Sequence, residues 1–242
     1  MKLILIRHGD PDYAIDSLTP TGRIEAELLA RRIAPMDVTA YYVSPLGRAQ
    51  ATAEATLRLA NRDATTLDWL REFEPCIVRP DTNGELKCAW DWLPQDWLSD
   101  PRFLSERDWR ENELFQAYGV GASYDRVTAA FDELLAAHGY RREGRSYRVE
   151  RSNTDTLVFF CHFGVMSVLL SHLMNVSPMV LWHGTVVAPA SVTTVYTEER
   201  RKGVASFRAT AIGDVTHLLA AGHEPSFSAR FCEVYGNGDR QD

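Results

Sequence analysis

Positive charge, clustered cysteines and long apolar runs are all scarce in this chain, and each scarcity removes a class of function. Acidic residues outnumber basic ones, 33 to 26, for a formal net charge of −7. A general nucleic-acid or anionic-membrane surface is thereby disfavoured, although a local basic pocket is not. The four cysteines, Cys76, Cys88, Cys161 and Cys232, contain no Cys-x-x-Cys pair. Their wide spacing suggests neither a disulfide framework nor a zinc knuckle, so reduced thiols are expected. There is no His-Glu-x-x-His, and the seven histidines do not fall at metal-ligand spacing. No apolar run approaches the roughly 18 residues that span a bilayer. Met1 to Ile6 is too short for the apolar region of a signal peptide before Arg7 interrupts it. A soluble, cytoplasmic protein with no membrane partner is the expectation. With no internal repeat and no linker-like stretch, residues 1–242 are expected to form one domain.

What the chain does have begins at its first residues. Leu3 to Ile6 is an apolar run suited to a strand buried on both faces, and it stops abruptly at Arg7-His8-Gly9. In an open α/β sheet, ligands bind at the carboxyl ends of the strands. Gly9 permits a sharp turn or a close approach to a ligand, so His8 can face an open pocket with the permanently charged Arg7 beside it. Next, Thr19 can cap a helix that starts at Pro20, with Gly22, Ala26, Leu29, Ala30 and Ile33 on one face. Val38 to Val43 reads as a second strand ending at Ser44-Pro45-Leu46-Gly47-Arg48, and Ala49, Ala53, Thr56, Leu57 and Ala60 mark the helix after it. Arg48 therefore stands at a helix start, where the dipole and free N–H groups already favour an anion.

Thr66 to Leu70 reads as a third short strand, running into Arg71-Glu72-Phe73-Glu74-Pro75. Periodicity is then lost from Cys76 to Tyr124, a stretch that holds Trp90, Trp92, Trp97 and Trp109. So long an insertion reads as an ordered lid or cap, residues 76–124, within the larger domain. Its tryptophans either line a site, favouring an apolar, aromatic or cationic leaving group, or simply fill an interface with the main body. A helix is expected over Asp125 to His138, and a solvated hairpin or loop over Tyr140 to Arg151, where Arg141, Arg142, Arg145, Arg148 and Arg151 crowd together. Thr156 to Cys161 repeats the opening pattern: an apolar run, then His162-Phe163-Gly164, then an apolar helix that Ser177-Pro178 ends. Strands are expected over Ser191 to Tyr196 and Ser206 to Ile212, and a tail from Gly213 onward with its last residues frayed. This alternation predicts an α/β fold: a three-layer α/β/α sandwich around a mostly parallel sheet. His172, His183, His217 and His223 are read as structural or surface residues.

Strand-to-helix junctions thus offer Arg7-His8-Gly9, Arg48 and His162-Phe163-Gly164, and another strand end offers Glu72. These segments, with Leu18-Thr19-Pro20-Thr21-Gly22 and Ser44 to Ala53, resemble the histidine phosphatase superfamily, which includes cofactor-dependent phosphoglycerate mutase. The resemblance runs in the family's order over most of the chain outside residues 76–124. It implies that His8 takes the phosphoryl group, that Arg7, Arg48 and His162 surround its oxygens, and that Glu72 gives a proton to the leaving oxygen. Gly9 and Phe163 would line the substrate. It implies neither metal nor other cofactor, takes a small phosphorylated metabolite as partner, and is compatible with a homodimer. The reading is a phosphatase acting on a small phosphomonoester through phosphohistidine, with mutase-like transfer and non-catalytic phosphate binding as alternatives. Departures are present: Phe73-Glu74-Pro75 follows Glu72 where the family has glycine, making Glu74 a rival acid. Phe163 replaces a common glycine. Asp10-Pro11-Asp12-Tyr13-Ala14 replaces the Ser-x-x-Asn stretch of the mutases.

Overall fold

Two apolar strands in parallel register set the architecture. Strand β1 (Lys2–Arg7) precedes helix α1 (Pro20–Ile33), strand β2 (Ala40–Val43), helix α2 (Gly47–Ala60) and the two-residue strand β3 (Thr65–Thr66). After the insertion come α3 (Val120–Ala137), the hairpin β4 (Tyr140–Glu143) and β5 (Ser146–Val149), and β6 (Thr156–Cys161). Helices α4 (Phe163–Met174) and α5 (Pro178–Gly184) lead to the long strands β7 (Val192–Arg201) and β8 (Val204–Asp214). The computed structural model describes residues 1–236 and 238. The expectation of frayed final residues concerns 237 and 239–242 and lies outside the described residues.

The main sheet runs β3-β2-β6-β1-β7-β8-β5-β4. The first four strands are mutually parallel, and from β1 to β7 onward every pairing is antiparallel. Alternation along the strands assigns the layers. Leu3, Leu5, Leu157 and Phe159 pack with α3 and α4 residues such as Phe131, Leu135, Val165 and Leu169. Ile4, Ile6, Val158 and Phe160 pack with Leu29, Ile33, Ala49 and Ala53 of α1 and α2 on the opposite face. Burial on both faces explains why β1 and β6 are apolar without interruption.

Register carries the strand ends to one row. Arg7 lies opposite Cys161, and Phe160 lies opposite Val43, so His8, His162 and Ser44 emerge side by side at the carboxyl edge. Thr19 caps α1 by accepting the Gly22 N–H at 3.0 Å, with Pro20 at the first position. The small-residue face of α1 permits a very close loop contact. A Cβ on Gly9 would lie 2.7 Å from the Gly22 carbonyl oxygen, and one on Gly22 would lie 2.2 Å from that of Asp10.

Several elements differ from the sequence expectation. The third strand is only Thr65–Thr66, and Asp68–Leu70 is a 3-10 turn that carries the chain off the sheet edge toward Glu72. The arginine-rich hairpin joins the main sheet: Tyr140 and Tyr147 are buried on its inner face, where Arg142 also lies and donates to Tyr147 Oη and to the His172 carbonyl, while Arg141 and Arg148 pair on the outer face. Helix α3 begins at Val120, five residues before the expected start, because Gly119 takes a left-handed conformation and Val120 and Tyr124 already reach the core. The segment after β8 is packed rather than loose: Leu218 is buried, and the Ser226 and Ser228 hydroxyls donate to Asp10 Oδ1. Among the described residues no helix is long and apolar enough to cross a membrane.

The insertion is organised by its aromatic rings. Trp92 meets Phe103 and Phe115 edge-on, and Trp109 meets Phe115 and Tyr124 in the same way. Trp90, Trp92 and Trp109 all belong to the main apolar cluster. Its root is a two-stranded ribbon, Cys76–Ile77 against Lys87–Cys88. His183 anchors it from α5: Nδ1–H donates to the Met179 carbonyl and Nε2 accepts the Trp92 N–H at 3.1 Å.

Candidate active site

The backbone fixes His8 before any side chain does. Its N–H donates to the Cys161 carbonyl and its carbonyl accepts from Ala190, both at 3.0 Å. The ring is then oriented by its own neighbour, with Nδ1 2.8 Å from the Gly9 carbonyl oxygen. A carbonyl can only accept, so Nδ1 carries the hydrogen and the Nε2 lone pair is left available. Burial, reinforced by the adjacent Arg7 and Arg48, pushes the His8 pKa down to about 3. The imidazole is therefore neutral near pH 7, the state a nucleophile requires.

His162 stands 5.1 Å away, ring centroid to centroid. It too is buried, and burial followed by the neighbouring His8 holds its pKa well below the ordinary value. Its Nε2 lies 2.7 Å from Ser44 Oγ. Arg7 is buried beside them, with Nη1 donating to the Val187 carbonyl at 2.6 Å and its guanidinium 5.9 Å from the Phe163 ring. Arg48, at the start of α2, is oriented by a 2.6 Å bond to Asp16 Oδ1, while Asp16 Oδ2 accepts the Gly47 N–H. Among the described residues, Arg7 Nε, Arg48 Nε and His162 Nδ1 are buried without a hydrogen-bond partner. Buried donors left open in this way carry a desolvation cost that an anionic ligand would remove.

Glu72 comes from beyond the sheet edge. Its Oε1 accepts two backbone bonds, from Phe73 at 2.8 Å and from Val165 at 3.0 Å. Oε2 is thus the oxygen left to hold a proton. Burial raises the Glu72 pKa, although these two bonds and the nearby Arg7 and Arg48 pull against it. Glu74 is exposed and paired with Arg71 at 3.0 Å, turned to the surface rather than toward the histidines. The structure therefore brings Arg7, His8, Arg48, Glu72 and His162 together, with Gly9 and Phe163 alongside.

Three further residues at this edge escaped the sequence reading. Ser44 was visible only as part of a strand-end motif. Tyr13 sits at the tip of the short ribbon Pro11–Asp12 with Ser17–Leu18, its ring 5.4 Å from the Arg48 guanidinium and its hydroxyl beside Arg7. Asp91, in the insertion, places its negative charge near Arg7 as well. Nothing in periodicity marks a loop tyrosine or an insertion aspartate. The only signal was the unusual Asp10-Pro11-Asp12-Tyr13 stretch where the resemblance departs.

The pattern of the histidine phosphatase superfamily (branch 1) matches residues 3–210. A protein of Schizosaccharomyces pombe named as a probable phosphatase is 37% identical over 186 residues, covering 72% of this chain and 74% of its own. A mitochondrial serine/threonine-protein phosphatase, Pgam5, of Caenorhabditis elegans is 26% identical over 223 residues; the match covers 90% of this chain but 64% of that protein. Among solved structures, a phosphoserine phosphatase of Entamoeba histolytica superposes with a TM-score of 0.59 at 20% identity, covering 90% of this chain and 98% of that one. This last likeness is one of fold. The chain belongs to the histidine phosphatase superfamily, branch 1.

Proposed function

We propose that this phosphatase hydrolyses a small phosphomonoester in two steps through a phosphohistidine at His8. The observation that carries the reading is the His8 ring itself: Nδ1 bound to the Gly9 carbonyl, Nε2 open, and the imidazole kept neutral beside two arginines. In the first step the Nε2 lone pair forms a bond to phosphorus as the P–O ester bond breaks. The leaving alkoxide takes the proton from Glu72 Oε2. Arg7, Arg48 and His162 Nδ1–H hold the equatorial oxygens, where charge must be stabilised during transfer. In the second step Glu72, now ionised, accepts a proton from water as the water oxygen attacks phosphorus and the P–N bond breaks. Phosphate leaves, and His8 and protonated Glu72 are restored. A raised pKa suits a carboxyl that must alternate between acid and base. The cations in this scheme belong to the chain, so no metal or other cofactor takes part.

The test is hydrolysis of an aryl phosphate and of a panel of metabolite phosphates in the presence of chelator. His8→Ala should abolish turnover, and Glu72→Gln should slow alkyl esters far more than the aryl ester, whose leaving group needs little protonation. A chelator-sensitive activity, or an active His8→Ala protein, would remove the proposal. The mutase reading predicts instead that turnover requires a second phosphoryl acceptor. Failure of His8 to label with a reactive phosphodonor would favour a binding protein.

A further inference from the structure

The insertion reaches the carboxyl of Glu72 itself. Gly164, in the first turn of α4, marks the place: a Cβ built there would lie 2.6 Å from Trp90 Cη2 and 2.7 Å from Glu72 Oε1. The indole edge and the carboxyl oxygen thus both lie within 2.7 Å of one point, too near each other for a water molecule to stand between them. Any side chain larger than glycine's would part them. The same oxygen accepts the Phe73 and Val165 N–H groups, so it is bonded to backbone on one side and covered by an indole on another.

Trp90 closes a cluster of three buried rings. It packs against Trp182 of α5 with centroids 5.9 Å apart and against Phe73 at 6.3 Å, and those two meet at 5.4 Å. Trp182 Nε1–H donates to the Gly164 carbonyl at 3.1 Å, which holds the first turn of α4 against the rings. Phe73 follows Glu72 in the chain and Trp182 belongs to α5, so Trp90 is the ring that the insertion supplies. Its backbone is anchored at the root of the insertion. The Trp90 carbonyl accepts from buried Arg79, which also donates to the Cys88 carbonyl at 3.2 Å and pairs with Asp81 at 2.9 Å. Apolar ring faces cannot solvate a carboxylate, so they favour the neutral acid, and burial is the largest cause of the raised Glu72 pKa.

We infer that Trp90 is a positioning residue for the acid: the insertion completes the dry wall that lets Glu72 hold its proton until the alkoxide departs. The inference rests on the phosphatase reading above. It makes the insertion part of the acid rather than a cover over a finished site. Phosphoryl capture by His8, Arg7 and Arg48 draws on the sheet edge instead, so loss of the indole should be felt where the leaving group needs a proton.

The experiment measures kcat/KM against pH for p-nitrophenyl phosphate and for the alkyl phosphate of the metabolite panel that the wild type turns over best. The proteins are the wild type, Trp90→Ala, Trp90→Phe, Glu72→Gln and the Trp90→Ala/Glu72→Gln double variant. Thermal melts check each fold. Trp90→Phe keeps an aromatic ring in the cluster but draws its far edge back from Glu72, so it carries the test if the alanine variant does not fold. Trp90→Ala should lower kcat/KM for the alkyl ester by about tenfold to a hundredfold, chiefly through kcat, and for the aryl ester by less than about threefold. Trp90→Phe should show a smaller loss of the same kind. In both, the decline of alkyl-ester activity with rising pH should begin at lower pH than in the wild type. With Glu72 already replaced by glutamine, removing the indole should cost the alkyl ester no more than about threefold. Equal losses on both esters with an unmoved pH profile, or losses that multiply in the double variant, would mean that Trp90 only supports the fold, and would overturn the inference. A wild type that hydrolyses the aryl ester through His8 but no alkyl ester would also overturn it, with the nucleophile intact. No turnover of any ester by folded protein would overturn the phosphatase reading as well.

Discussion

Ser44 and His162 share a 2.7 Å hydrogen bond whose direction is set by what else the serine touches. Ser44 Oγ accepts the Leu46 N–H at 3.2 Å, and its own proton is then free to be donated to His162 Nε2. The imidazole hydrogen consequently sits on Nδ1, the buried nitrogen with no protein partner. A hydroxyl at a strand end therefore decides that His162 offers a donor rather than a lone pair to whatever occupies the site.

Replacing Ser44 with alanine should weaken the site through His162 rather than through direct contact. The ring loses the bond that selects its tautomer, and a buried nitrogen is left without a partner, at a cost of about 1–3 kcal/mol. The expected outcome is a fall in kcat/KM of about tenfold to a hundredfold and a matching loss of affinity for vanadate. Its pH–rate profile should also move, because either tautomer of His162 becomes accessible. A variant with wild-type vanadate affinity and an unmoved profile would show that Ser44 only fills space.

Tyr13 spans the two arginines from an exposed loop, being 69% exposed itself yet with its ring over Arg48 and its hydroxyl beside Arg7. So little burial means that fold stability does not depend on it, and Tyr13→Phe should melt within about 0.5 kcal/mol of wild type. The loss of the hydroxyl should instead raise KM by about three- to tenfold with kcat nearly constant, as expected for a group that helps hold substrate but not the transition state alone. Steady-state kinetics on the aryl ester decide this. A fall in kcat at constant KM would place Tyr13 in the chemical step.

The two central strands, the first helix and the histidines at the sheet edge were legible in the sequence because both-face burial and helix capping leave strong local patterns, as at Leu3 to Ile6, Thr19-Pro20 and Thr156 to Cys161. Register then did the rest, since parallel strands that end in Arg-His-Gly and His-Phe-Gly must deliver their histidines to the same edge. The proposed acid was legible only as one of two glutamates, Glu72 favoured over Glu74, and the difference between their surroundings is tertiary. Glu72 is captured by two backbone N–H groups, one from α4, whereas Glu74 pairs with Arg71 at the surface. The stretch from Cys76 toward Tyr124 was legible only as a loss of periodicity. Its internal order, with Trp92 and Trp109 edge-on to phenylalanines, depends on contacts between residues far apart, which no local window contains. Tyr13, Ser44 and Asp91 owe their positions to such contacts too.

The pH dependence of turnover follows from the two shifted groups. His8 must be neutral, which its pKa of about 3 permits over nearly the whole range studied in enzymology. Glu72 must be protonated to assist departure of a poor leaving group, and burial raises its pKa above the ordinary glutamate value. For alkyl esters kcat/KM should therefore decline as pH rises through the raised Glu72 pKa. Glu72→Gln should remove that limb along with most of the activity. The sign for stability is the same. Between its unfolded and folded pKa values Glu72 holds a proton only when folded, so this contribution is present at lower pH and is lost as pH rises. His8 acts oppositely, because the unfolded chain binds the proton that the folded chain refuses; stability falls as pH drops from about 6.5 toward 3. Denaturant midpoints of wild type, Glu72→Gln and His8→Ala across pH 4 to 8 test both statements. His162, His183 and His217 are shifted down as well and share in the acid loss, so the fall below pH 6 should be smaller in His8→Ala than in wild type, and an equal fall would contradict the His8 assignment.

Cys76 and Cys88 lie directly opposite each other in the ribbon at the root of the insertion, both as free thiols. The Ala89 N–H donates to the Pro75 carbonyl at 3.0 Å, which makes Cys76 and Cys88 the non-hydrogen-bonded pair of the ladder. At such a pair the Cα atoms are about 4.5 Å apart and the side chains share one face, within the range a disulfide can bridge. Cys76 is exposed, so it should meet an oxidant first. The Cys88 thiol, pushed up to about 12 by burial and then by Asp91, resolves it slowly. Incubation with oxidised glutathione should thus give a mixed disulfide at Cys76, then attack by Cys88 on the Cys76 sulfur with release of glutathione. Overall one oxidised glutathione becomes two reduced ones while the chain loses two hydrogens, a change that mass spectrometry reads directly. Closing so short a loop should stabilise the fold by no more than about 3 kcal/mol. Cys88→Ser should stop at the mixed disulfide, and Cys76→Ser should resist the reagent at this ribbon. Persistence of the mixed disulfide in the wild type, with no intramolecular bond at long times, would mean that the two sulfurs cannot approach and that the ribbon is more splayed than its register indicates.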